Sequence, residues 1–127
     1  MQDKVLIVDD DPDIIRLLKR ALNQKNYLIS VAMDGEEALQ KITQECPDLV
    51  ILDLGLPRLS GEEVCKKIRK NEKFEKIRIV MLTGKAGEVD RIIGKVIGAD
   101  HYMTKPFDLL ELLKTVGNIL EAKNFAS

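Results

Sequence analysis

Apolar positions along the chain follow two alternating rhythms. Short, nearly unbroken runs occupy "KVLIV" (4–8), "YLISVA" (27–32), "LVILD" (49–53), "IRIVMLT" (77–83) and "ADHYM" (99–103). Their length and β-branched content predict strands, and the first, third and fourth read as central strands covered on both faces. Between them the apolar spacing stretches to three and four residues, the period of a helix buried on one side. Residues 12–25 put Ile14, Ile15, Leu18, Ala21 and Leu22 on one stripe, with Pro12 suited to a first turn. Residues 35–45 carry Ala38, Leu39 and Ile42 after the turn signal "MDG". Residues 60–71 begin with Ser60 as a cap and acids in the first turn. Residues 87–97 hold Val89, Ile92, Ile93, Val96 and Ile97 before Gly98, and residues 108–123 open at Asp108 with Leu109, Leu112, Leu113, Val116 and Leu120 behind it. Five strands alternating with five helices predict an α/β fold, a doubly wound parallel sheet with right-handed crossovers.

Composition narrows the class without changing this picture. A length of 127 residues, 45% hydrophobic and 32% charged, fits one ordinary domain, 1–127, with no linker, repeat or low-complexity tract. A net charge of −1 gives no argument for a nucleic-acid or anionic-membrane partner. No apolar run approaches the ~20 residues of a membrane span, and acids follow the first apolar run too soon for a secretory signal. The expected address is cytoplasmic. Cys46 and Cys65 lack the spacing of a metal or disulfide pair and read as reduced thiols on a loop and a helix. The run "CKKIRKNEKFEK" mixes both signs and reads as a solvated face, and His101 as a solvent-facing strand residue.

Candidate chemistry comes from the strand ends, because an open parallel sheet binds ligands beyond the carboxyl ends of its strands. There the chain places Asp9, Asp10 and Asp11 after the first strand, Asp53 at the end of the third and Thr83 at the end of the fourth. Lys105 and Pro106 follow the fifth. Adjacent carboxylates repel, by roughly 4 kcal/mol for a pair ~4 Å apart at an effective dielectric near 20. A hard divalent cation offsets that repulsion. Magnesium takes oxygen ligands, typically one or two carboxylates and several waters, while an ammonium and a hydroxyl suit phosphoryl oxygens. Asp11 reads instead as a solvated residue at the helix start.

The motifs "VLIVDDD", "VILDLGLPRLSG", "VMLTGKA" and "GADHYMTKPF" together resemble the response regulator receiver domain, the CheY-like phosphoacceptor of two-component signalling. The separations match as well: 43 residues from Asp10 to Asp53, 30 from Asp53 to Thr83 and 22 from Thr83 to Lys105. The likeness covers residues 3–121 and implies a flavodoxin-like (βα)5 sheet with strand order 2-1-3-4-5. It also implies that Asp53 is phosphorylated, that Asp10 binds magnesium directly, and that Asp9 acts mainly through water. Manganese could replace the magnesium. Gly55 would lend a backbone carbonyl to the metal, Thr83 and Lys105 would bind the phosphoryl group, and the bond before Pro106 would be cis. Tyr102 matches the aromatic switch position, with ordinary strand packing as its competing reading.

The implied partners are a sensor histidine kinase or histidine phosphotransferase and a downstream protein or output domain. The output would be reached through the face of helix 87–97, strand 99–103 and helix 108–123, which could also carry a homodimer. The implied activity is that of a phosphorylation-controlled module, not an enzyme acting on other substrates. Two positions depart from the usual pattern, Gly55 and the Gly84–Lys85 pair after Thr83. A haloacid-dehalogenase-like phosphatase would also use an aspartate and magnesium, but wants a second acid where Gly55 stands. A flavodoxin-like FMN carrier is disfavoured by acids after the first strand.

Overall fold

A computed structural model describes residues 2–84 and 98–126, with side chains through residue 122. The helix predicted over 87–97, including the Ile92, Ile93, Val96 and Ile97 cluster, lies outside the described residues, as does Lys85. Five parallel strands, β1 (Lys4–Val8), β2 (Leu28–Ala32), β3 (Leu49–Asp53), β4 (Arg78–Thr83) and β5 (His101–Thr104), form one sheet in the order β2-β1-β3-β4-β5. Four helices are described: α1 (Pro12–Asn23), α2 (Gly35–Glu45), α3 (Gly61–Lys70) and a C-terminal helix, Leu109–Ala126.

The unbroken apolar runs are explained by two cores, one on each face of the sheet. Leu6 and Val8 of β1, with Val50 and Leu52 of β3, pack against Ala38 and Ile42 of α2 and Val64 and Ile68 of α3. The alternate residues Val5, Ile7, Leu49 and Ile51 point the other way, to Leu18 and Leu22 of α1 and Leu112 and Val116 of the C-terminal helix. A strand buried on both faces must be apolar at consecutive positions. At about 25 cal/mol per Å2 of apolar surface, each buried Leu or Ile contributes roughly 2 kcal/mol before entropy is counted.

Short polar side chains set where the helices begin. Asp11 caps α1 by accepting from the Asp13 N–H at 2.9 Å, and Asp34 caps α2 by accepting from the Glu37 N–H at 2.8 Å. Glu37 reaches back past the cap and accepts from the Met33 N–H. Ser60 caps α3 through the Glu63 N–H, and Asp108 accepts from Leu110 and Glu111 at the C-terminal helix.

Boundaries differ from the pattern-based expectation where local hydrogen bonds intervene. Helix α1 stops at Asn23 because the chain turns through Asn26 at φ 66°, a left-handed conformation that asparagine tolerates. A single 3-10 turn, Glu72–Phe74, follows α3 and buries Phe74. It is too short for a periodic signal. The fifth strand starts at His101, not residue 99, because Asp100 is taken up elsewhere. Its carboxylate accepts from the Arg69 guanidinium at 3.0 Å and from the Ile79 N–H at 2.8 Å. Among the described residues no helix is long and apolar enough to cross a membrane.

Candidate functional site

The carboxyl ends of β1 and β3 lie side by side because these strands pair in register, Val8 opposite Leu52. Asp9 and Asp53, each one residue further on, therefore stand at one edge of the sheet. Asp9 is 1% exposed and Asp53 7%. With the exposed Asp10 they form a group in which one carboxylate oxygen from each lies within 4.8 Å of the others. That geometry fits a small oxygen-seeking cation: three hard anionic donors converge on one point, and Asp10 leaves that point open to water.

The three consecutive aspartates have separate tasks. Asp9 turns inward, where one oxygen accepts from the Asp11 N–H at 2.9 Å and the other from Lys105 Nζ at 2.7 Å. Asp10 faces outward beside the pocket, and Asp11 is the α1 cap. The stacking of like charge is thus relieved by one half-buried ammonium, one helix N-terminus and solvent.

Lys105 reaches this pocket from the end of β5. The register Thr83–Thr104 in β4 and β5, and a hydrogen bond from the Lys105 N–H to the Thr83 carbonyl at 2.6 Å, bring its backbone beside Thr83. The Lys105–Pro106 peptide is cis. Lys105 Nζ also lies 3.6 Å from Asp53 Oδ2. Burial pulls the Lys105 ammonium down, but its hydrogen bond to Asp9 and the charges of Asp53 and Asp9 outweigh this and hold its pKa above the ordinary value. The Asp53 carboxyl is raised, first by burial and then by the charge of Asp9, against the pull of Lys105 and of the Gly55 N–H, which donates to Asp53 Oδ1 at 3.3 Å. Asp10 adds a further upward push. A buried carboxylate crowded by two others, with one shared ammonium, is a site short of positive charge.

Thr83 is 2% exposed at the end of β4, the strand next to β3. A Cβ built on Gly55 or on Gly84 would meet nothing within 4 Å among the described residues. Tyr102 lies opposite Met81 and packs, half-buried, against the core shared with α2 and α3. The structure therefore gathers Asp9, Asp10, Asp53 and Lys105 into contact range.

A family model for the response regulator receiver domain matches residues 5–117. The chain belongs to that family. A CheY-like receiver domain protein from Methanospirillum hungatei JF-1 superposes on this receiver with a TM-score of 0.93 at 29% identity, covering 100% of both chains. The chemotaxis response regulator CheY4 of Vibrio cholerae superposes with a TM-score of 0.88 at 33% identity, over 94% of this chain and 99% of that one. The alkaline phosphatase synthesis transcriptional regulatory protein PhoP of Bacillus subtilis (strain 168) is 44% identical over 127 residues, all of this chain and 52% of PhoP. The receiver spans about half the length of the curated relatives it matches.

Sequence reasoning did not find the direct Asp9–Lys105 ion pair, nor the contact of Gly61 with the backbone at Asp53. The only sequence sign of the latter is a glycine directly after the Ser60 cap.

Proposed function

We propose that this receiver accepts a phosphoryl group on Asp53 from a histidine kinase or histidine phosphotransferase. The observation that carries the reading is the convergence of Asp9, Asp10 and Asp53 within 4.8 Å, with Lys105 Nζ 3.6 Å from Asp53. Asp53 presents a buried carboxylate whose Oδ1 is oriented by the Gly55 N–H. In the transfer, a carboxylate oxygen forms the bond to phosphorus as the phosphorus–nitrogen bond of a phosphohistidine breaks, leaving an acyl phosphate. Asp10 and Asp53, with the Gly55 carbonyl, would hold magnesium, or manganese in its place, and Asp9 would act on it mainly through water. The cation supplies charge that offsets the three carboxylates and the incoming phosphoryl oxygens.

Lys105 has an ammonium already shared between Asp9 and Asp53, so it is placed to follow a phosphoryl oxygen on Asp53. Thr83 offers a hydroxyl from the neighbouring strand end. Hydrolysis of the acyl phosphate returns the carboxylate and resets the module. Output is a population shift between two conformations, with Thr83 and Tyr102 as the residues that sense the modification. The signalling surface in this reading includes β5 and the C-terminal helix, with the helix expected over 87–97 lying outside the described residues, and it meets a downstream protein, an output domain or a second receiver. PhoP's name points to transcriptional control, and we assign this receiver a place upstream of such an output in the cytoplasm, as one domain with its core over residues 3–121.

The test is incorporation of phosphate from acetyl phosphate. Labelling is expected with magnesium, and its loss on chelation or in Asp53→Asn. Equal labelling of wild type with and without a chelator contradicts the reading.

A further inference from the structure

The backbone that carries Asp53 is pressed from above by a residue that has no side chain. Gly61, the buried first residue of α3, stands over the peptide unit joining Asp53 to Leu54. A Cβ at Gly61 would fall inside the contact radius of the Asp53 carbonyl oxygen, 2.8 Å from Leu54 Cα and 2.9 Å from the Asp53 carbonyl carbon. Two hydrogen bonds hold the same span. The Gly61 N–H donates to the Leu54 carbonyl at 3.1 Å, and the Leu54 N–H donates to the Leu82 carbonyl of β4 at 2.8 Å. The stretch from Asp53 to Gly55 is thus fixed by β4 on one side and by the first turn of α3 on another.

The body of strand β3 cannot yield to an added methyl group. All five of its residues are buried, and it pairs with β1 and β4 on its two edges. Asp53 is the last residue of that strand, so the displacement caused by an added methyl group would fall on the strand's end and on the span from Leu54 onward, which carries the Gly55 carbonyl. We propose that Gly61 is a positioning residue for the Asp53 site: the missing side chain lets α3 seat directly on the Asp53–Leu54 peptide and so fixes the Asp53 carboxylate and the Gly55 carbonyl relative to Asp10. This rests on the phosphoacceptor reading above.

Gly35 provides an internal control. At the first position of α2 its Cβ would collide with the backbone of Leu59, 2.8 Å from the carbonyl carbon and 2.7 Å from Leu59 Cβ. The crowding is as severe, and it falls on the same loop, but six residues beyond Asp53. A role in folding alone predicts equal consequences for the two glycines.

The experiment compares wild type, Gly61→Ala, Gly35→Ala and Ser60→Ala at a temperature where circular dichroism shows each folded. Calorimetry with magnesium chloride gives the affinity, and intact mass after acetyl phosphate gives the labelling rate. Gly61→Ala is expected to lose roughly tenfold or more in both, because misplacement by about 1 Å costs on that scale, while Gly35→Ala stays within about twofold of wild type. Equal losses in the two glycine variants overturn the proposal. If Gly61→Ala does not fold, Ser60→Ala decides. It removes the hydroxyl that accepts from the Glu63 N–H at 3.2 Å and loosens the same turn without adding atoms. Weakening of magnesium binding by about threefold supports the proposal, and unchanged affinity overturns it. Wild-type protein that neither binds magnesium nor labels sinks the phosphoacceptor reading itself, which is a different result from these.

Discussion

Removing the charge of Asp53 should make the metal-free protein more stable, not less. Asp53 is 7% exposed and shares a pocket with two other carboxylates. At the 4.8 Å bound and an effective dielectric near 20, its repulsion from Asp9 is about 3 kcal/mol. The Lys105 ammonium, 3.6 Å away, attracts Asp53 by about 5 kcal/mol on the same scale, but Asp9 holds that ammonium more closely, at 2.7 Å. Burial and the charge of Asp10 then tip the balance, and the carboxyl is raised above its ordinary 3.8. A carboxyl raised on folding binds its proton more tightly in the folded chain. It therefore costs stability above its folded value, and that cost fades as pH falls through the window down to 3.8.

Asp53→Asn keeps the shape and removes the charge. In a chelating buffer at pH 7 it should stabilise the protein and so raise Tm, each 1 kcal/mol gained being worth about 4 °C. The gap to wild type should narrow as pH is lowered toward 4. Magnesium at about a hundred times its Kd should reverse the comparison, because a cation held by the native site alone adds about 2.7 kcal/mol there, and the variant binds it less well. Scanning calorimetry of both proteins, with chelator and with magnesium, reads all of this. A variant less stable than wild type in chelator, or an equal magnesium shift in both, refutes the electrostatic reasoning.

Other consequences are more local. Lys105→Met leaves Asp9 buried without its ammonium and should destabilise by about 2–3 kcal/mol in urea melts while slowing acetyl phosphate labelling. Arg69→Ala removes the clasp from α3 to the Gly98, Ile77 and Asp100 oxygens, at 2.9, 2.8 and 3.0 Å. It should cost about 2–4 kcal/mol in the same melts yet leave labelling of the folded fraction intact, since the clasp lies at the opposite edge of the sheet. Iodoacetamide at pH 8 should modify Cys46, which is exposed, and spare Cys65, whose thiol is buried and pushed up to about 11. Peptide mass spectrometry of native and unfolded protein distinguishes the two.

The sheet was legible because burial on both faces leaves a coarse mark, five apolar runs whose ends carry the polar chemistry. Asp53, Thr83 and Lys105 could be placed at one edge from topology alone, since parallel strands with crossovers put every carboxyl end on the same side. What the sequence could not show is pairing within that edge. Whether Lys105 would prefer Asp9 or Asp53 depends on distances of a few ångström, and the structure gives 2.7 and 3.6 Å. Nor does a single glycine reveal what it touches. Gly55 and Gly61 look alike in the string, yet one faces open space and the other lies on the Asp53 backbone. Asp100 illustrates the same limit: its carboxylate joins Arg69 of α3 to Arg78 and the Ile79 N–H of β4, so the fifth strand starts later than its apolar pattern predicts.

The most direct measurement is to locate the phosphoryl group. After incubation with acetyl phosphate and magnesium, borohydride reduction converts an aspartyl phosphate to homoserine, and tandem mass spectrometry of the digested chain reports where. The account predicts conversion at Asp53, absent with chelator. Conversion at Asp9 or Asp10 instead, or none at any aspartate under conditions where magnesium is bound, contradicts it.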